Sequence, residues 1–192
     1  MKIGILISGR GSNMVALVDA VKSGEIPASE VVVVISDKAD AAGLAKAAER
    51  GVETLAIERN GRKREEHDAE IVAELERRGV ELVCLAGYMR LLSPLFVQAF
   101  PDLIVNIHPS LLPAYPGLHV HERVLAAGEK TSGCTVHFVN EDLDAGPVIL
   151  QREVPVLEDD TPETLSARIL EFEHVTYVEA VKLLSGNVSL GS

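Results

Sequence analysis

From the first residue to about position 108, apolar runs alternate with stretches whose apolar residues recur at helical spacing. "KIGILIS" (2–8) is almost wholly apolar, the pattern of a strand covered on both faces. After it, Met14, Leu17, Val18 and Val21 fall at i, i+3, i+4 and i+7, one face of a helix. "VVVVIS" (31–36) predicts a second strand, "DAAGLAKAAERG" (40–51) a helix closed by Gly51, and "VETLAI" (52–57) a third strand. Residues 62–78 form a charged helix that turns Ile71, Val72 and Leu75 inward and ends near Gly79. "ELVCLAG" (81–87) is a strand, "SPLFVQAF" (93–100) a short helix with Pro94 in its first turn, and "LIVNIH" (103–108) a further strand.

Alternation of this kind builds βαβ units, so the fold class is α/β: an open, mostly parallel twisted sheet with helices on both faces. Beyond the proline-rich stretch that follows residue 108 the pattern changes. "TSGCTVHFV" (131–139) and "GPVILQREVPV" (146–156) read as strands with no helix between them, which predicts mixed strands toward the C-terminal part of the sheet. A last helix starts with Asp160 or Thr161 as N-cap and Pro162 at its first position. Leu165, Ile169, Phe172, Thr176, Ala180 and Leu183 form its inward stripe, and "SGNVSLGS" (185–192) is expected to be a frayed tail. No repeat or linker divides the chain, so 1–192 reads as a single domain.

Composition narrows the partners. The net charge of −11 argues against a nucleic-acid footprint, and an anionic small molecule would have to be held by local donors against the overall field. No apolar run is long enough to span a bilayer, and "MKIGILISGRGS" runs into a glycine loop with no cleavage site, so no membrane association is expected. Cys84 and Cys134 lie in apolar runs without metal or redox spacing, which suits buried thiols in a reducing cytoplasm.

Three stretches could carry chemistry. "SGRGSN" (8–13) joins a strand to a helix; Gly9 and Gly11 permit the tight turn, and Ser12 or Asn13 is expected to cap the helix. It lacks the third glycine of a dinucleotide fingerprint and the Gly-Lys-Ser/Thr of a P-loop. A single phosphate fits it; so does a plain turn that binds nothing. Asn106 and His108 share one face at a strand end, where α/β sheets place their ligands. An amide donor for a developing oxyanion stands beside a group that titrates near neutral pH. Pro109, Pro113 and Pro116 stiffen the loop behind them. The plainer alternative is a capped strand end with a hydrogen-bonded histidine. In "NEDLDAGPVIL" (140–150), Asp144 precedes a Gly-Pro turn and could orient an imidazole, although an acidic solvated turn fits the spacing equally well. Arg90, flanked by Met89, Leu91 and Leu92, suits a flat heteroaromatic ligand or an ordinary surface arginine. His67, His121, His137 and His174 have no metal-ligand spacing, and no metal is expected.

Taken together and in order, "ILISGRGSN", "LAGYMRLLSP", "NIHPSLLPAYPGLH", "HFVNEDLDAGPVILQ" and "FEH" (172–174) resemble the phosphoribosylglycinamide formyltransferase family, over nearly the whole chain to about residue 184. The resemblance implies a Rossmann-like formyltransferase fold and a folate-dependent step of purine biosynthesis. The formyl donor is then 10-formyltetrahydrofolate, the acceptor is 5-phosphoribosyl-glycinamide, and the protein is a monomer or homodimer without a metal. By position, Asn106, His108 and Asp144 match the catalytic residues, with Asp144 supporting His108. Gly11, Ser12 and Asn13 match the phosphate loop, and Leu170, Glu171, Phe172 and Glu173 the rest of the phosphoribosyl-glycinamide site, Glu173 at its glycinamide end. Arg64, Met89, Arg90, Leu91, Leu92, Asn106, Asn140, Glu141, Asp142, Leu143 and Asp144 match the folate site. Two positions depart from the family pattern: Ala114 where a lysine is common, and Val178 where a proline is common. A formyltetrahydrofolate hydrolase would share the Asn-x-His and Asp set but usually carries an extra N-terminal domain. A methionyl-tRNA formyltransferase would carry a different loop after "SLLP" and a C-terminal domain. A non-catalytic phosphosugar-binding module is the remaining alternative.

Overall fold

The computed structural model describes residues 1–188. The elements run β1 (Lys2–Ile7), α1 (Ser12–Lys22), β2 (Glu30–Ser36), α2 (Ala42–Glu49), β3 (Thr54–Ala56), α3 (Arg64–Arg77), β4 (Leu82–Leu85), α4 (Pro94–Ala99), β5 (Ile104–His108), α5 (Val120–Ala126), β6 (Thr131–Phe138), β7 (Val148–Pro155) and α6 (Pro162–Val188). The seven strands lie in the order β3-β2-β1-β4-β5-β6-β7. Pairings from β3 through β5 are parallel, and β6 and β7 join antiparallel. This is the expected architecture, mixed strands included.

Alternation along each strand sorts its residues between two cores. Ile3, Ile5, Cys84, Val105 and Val136 face α1 and α6, against Met14, Leu17, Tyr177 and Val181. Leu6, Val33, Val83 and Ile104 face α3 and α4, against Ile71, Leu75, Phe96 and Phe100. Because the strands are buried on both sides, they read as continuous apolar runs in the sequence. The chain goes from β1 out to β2 and β3, then returns to β4 on the other side of β1. The crevice at that switch point, beyond the carboxyl ends of the parallel strands, is where such sheets bind ligands.

Several local expectations are corrected. Helix α1 is capped by Gly11, at φ 72°, and neither Ser12 nor Asn13 caps it; both lie inside the helix. The left-handed backbone that glycine permits makes the entry turn, so a side-chain cap is not needed. The third strand is shorter than 52–57, and α5 forms where no helix was anticipated, its short apolar pattern being carried by Val120 and Val124 alone. The start of α6 is as expected: Thr161 caps it, its Oγ1 accepting from the Thr164 N–H at 3.2 Å. The helix continues through Val188, into the stretch expected to fray, and residues 189–192 lie outside the described residues. Leu183, assigned to the inward stripe, is 53% exposed, while Tyr177 and Val181 are buried instead.

Candidate active site

Strand β5 lies inside the sheet between β4 and β6, and its last residues deliver two polar side chains to the crevice. Asn106 pairs in register with His137 of β6, and His108 with Thr135. Beyond His108 the chain turns through the proline loop, which β6 and β7 tie down. The Thr135 hydroxyl donates to the Ser110 carbonyl at 2.6 Å and accepts from the Leu112 N–H at 3.1 Å. The Gln151 amide donates to the Leu112 carbonyl at 2.6 Å and to the Thr135 hydroxyl at 2.9 Å. The loop's stiffness therefore comes from these bonds as well as from its prolines.

Asp144 reaches the end of β5 from the loop between β6 and β7. That loop is held close to β6: a Cβ on Gly146 would lie 1.8 Å from the Phe138 carbonyl oxygen, so only glycine fits there. Asp144 itself has φ 50°. Its Oδ2 accepts from the Gly117 N–H at 2.8 Å and lies 3.5 Å from His108 Nδ1. His108 Nε2 donates to the Tyr115 carbonyl at 2.9 Å. That carbonyl can only accept, so it fixes Nε2 as a donor and leaves Nδ1 as the ring atom beside the carboxylate. Both side chains are 8% exposed.

Asn106, His108 and Asp144 line a cavity of about 780 Å³ together with Arg64, residues 89–92 and residues 140–143. The structure thus brings together the sequence-predicted folate residues and the polar triplet. Its rim is apolar: Met89, Leu91, Leu118 and Leu143 are all more than half exposed around an otherwise folded wall. Arg90 is not an ordinary surface arginine. Its Nε donates to Asp37 Oδ2 at 2.8 Å, and Asp37 Oδ1 accepts from the Ser8 hydroxyl at 2.6 Å. Ser8 Oγ accepts in turn from the Met89 N–H at 2.9 Å. The buried Ser8–Asp37 pair therefore fixes the segment that carries Met89–Leu92 to the end of β1.

Gly11, Ser12 and Asn13, with residues 170–173, do not line that cavity. Of these, Asn13 and Glu173 meet: the Asn13 amide donates to Glu173 Oε1 at 3.3 Å, bridging the start of α1 and the middle of α6. Both side chains are buried, and Asn13 Oδ1 has no hydrogen-bond partner among the described residues. Burial pushes the Glu173 carboxyl up to about 7, with the Asn13 amide opposing the shift.

Three residues at the site escaped sequence reading. Ser8 and Asp37 directly follow β1 and β2, and only the parallel pairing of those strands, Ile7 with Ser36, makes them neighbours. His137 stands opposite Asn106 across the β5–β6 ladder; once the antiparallel register is known, its inward parity follows.

A model of the family described as "Formyl transferase" matches residues 1–181. The phosphoribosylglycinamide formyltransferase of Escherichia coli is 45% identical over 178 residues, covering 92% of this chain and 84% of that protein. The trifunctional purine biosynthetic protein adenosine-3 of Drosophila melanogaster is 46% identical over 98% of this chain; the chain spans only 14% of that relative. Among solved structures, glycinamide ribonucleotide transformylase 1 from Symbiobacterium toebii superposes with a TM-score of 0.95 at 50% identity, over 97% of this chain and 88% of that one. Phosphoribosylglycinamide formyltransferase from Brucella melitensis gives 0.91 at 49% identity, over 96% and 95%.

Proposed function

The chain belongs to the formyl transferase family, and from that premise we propose that it transfers the formyl group of 10-formyltetrahydrofolate to the amine of 5-phosphoribosyl-glycinamide, in purine biosynthesis. The observation that carries the reading is the meeting of Asn106 and His108 with Asp144, from a distant part of the sequence, on the wall of one large apolar-rimmed cavity. A flat folate ring system suits that cavity, and the Asn13–Glu173 pair with the start of α1, outside its lining, suits the phosphoribosyl-glycinamide half.

In this mechanism the glycinamide amine attacks the formyl carbon and a tetrahedral oxyanion forms. Asn106 donates an amide N–H to that oxygen. His108, anchored through Nε2, turns Nδ1–H between Asp144 and the same oxygen. Collapse of the intermediate breaks the bond from carbon to N10, and the proton lost by the amine passes to N10 through His108 or a water held by Asp144. The reading requires no metal and no covalent enzyme intermediate. Asp144 supports the charged ring rather than carrying the oxyanion itself.

The test is formyl transfer assayed with and without phosphoribosyl-glycinamide. Transfer that depends on the acceptor is expected. Formate release without it would make the protein a hydrolase, and no reaction with either would leave a binding module.

A further inference from the structure

We propose that His137 is a positioning residue for this reaction: it holds the Asn106 amide so that an N–H group, not the carbonyl, faces the formyl oxygen. The inference rests on the reading above and deepens it.

His137 Nδ1 lies 3.0 Å from the Phe138 carbonyl oxygen, which can only accept, so Nδ1 carries a proton. The side chain is 2% exposed, and burial is the largest influence on it, favouring the neutral ring. The charged or titratable groups acting on it are Asp144, which favours its protonation, and His108, which opposes it; the net shift is downward. A neutral ring protonated at Nδ1 has a bare Nε2. That atom is 3.4 Å from Asn106 Nδ2 and 3.9 Å from Asp144 Oδ1. A bare nitrogen has nothing to donate to the carboxylate, so its one available partner among the described residues is an N–H of Asn106.

The consequence is directional. An asparagine amide can turn end for end at little intrinsic cost, and in the turned state its carbonyl would oppose an oxyanion. One amide N–H bound to His137 excludes that state and leaves the second N–H for the substrate oxygen. The same arrangement separates the two histidines. His108 is the partner of Asp144, while His137 serves Asn106 alone.

Steady-state kinetics in single and double variants test this. His137→Leu is expected to lower kcat roughly 10- to 100-fold, because it leaves the Asn106 donor misaligned part of the time, whereas outright loss of an oxyanion donor costs roughly 100-fold or more. Both KM values should stay within about twofold, because the lost interaction matters only in the transition state. In an Asn106→Ala background the same change should cost less than about threefold, since its target is gone. An equal loss in both backgrounds, or an unchanged kcat, overturns the proposal. Where His137→Leu does not accumulate as folded protein, His137→Gln and His137→Asn carry the test. Glutamine can place an acceptor oxygen near the Nε2 position and should keep most of the turnover, whereas asparagine is too short and should not. Equal rates for those two overturn the proposal as well. A parent protein without formyl transfer would contradict the proposed function itself, a different result from any of these.

Discussion

Asp144 Oδ2 stands 3.5 Å from His108 Nδ1 while also accepting the Gly117 N–H at 2.8 Å. A carboxylate from the β6–β7 loop, an imidazole from the end of β5 and a backbone donor from the proline loop are thereby locked into one corner. Replacing Asp144 with Asn keeps the shape and the left-handed backbone, which asparagine tolerates. It removes the charge. Turnover should fall roughly 100-fold or more, on the scale set by loss of an oxyanion donor, while phosphoribosyl-glycinamide still binds. Rate measurements together with calorimetric titration of the acceptor check both halves; near-normal turnover would sink the role given to Asp144.

Thr135→Val tests the anchoring of the proline loop. It strips the Ser110 carbonyl, the Leu112 N–H and the Gln151 amide of a shared buried partner. A loss of about 1–3 kcal/mol in unfolding free energy is expected from the unpaired groups, with a drop in kcat as His108 loses its fixed surroundings. Denaturant unfolding of the variant at parental stability would show that the prolines alone hold the loop.

Asp37→Ala should distinguish the two substrates. Arg90 loses its only carboxylate partner among the described residues, and Ser8 loses its acceptor. KM for the folate should rise roughly tenfold, about the worth of one charge-assisted bond, with little change for phosphoribosyl-glycinamide. Equal rises for both substrates would mean that the network supports the whole sheet edge rather than the Met89–Leu92 wall.

Glu173 predicts a pH dependence of stability. Burial moves its carboxyl from 4.5 to about 7, so between those values the folded protein keeps a proton that the unfolded chain has released. Its contribution is therefore full below 4.5 and is lost as pH rises through about 7. Relative to the parent, Glu173→Gln should gain stability across that window, by up to about 3 kcal/mol. Unfolding curves at several pH values would reveal it; a parallel pH dependence of the two proteins would refute it.

Much of this was legible in the chain because parallel strands buried on both faces leave unbroken apolar runs, and Pro162 and Gly51 mark helix ends. The position of Asn106 and His108 on one strand face also follows from parity alone. Their meeting with Asp144 does not, because no spacing rule connects a strand end to a loop after the next strand; the likeness to a family supplied that pairing. Ser8 with Asp37, and Asn106 with His137, were hidden for a related reason: each pair exists only through strand register, which depends on how β1 meets β2 and how β6 turns back on β5. The helical entry at Gly11 was misread because a left-handed glycine makes the turn that a serine or asparagine cap was expected to make. At the far end, polar and small residues in "SGNVS" suggested fraying, yet the helix runs on to Val188.

The central claim is most directly tested by following a labelled formyl carbon. With 10-formyltetrahydrofolate carrying the label and phosphoribosyl-glycinamide present, the parent protein should deliver it to the acceptor amine, and Asp144→Asn should do so only slowly. Label recovered as free formate, or left on the folate by the parent protein, would contradict the account.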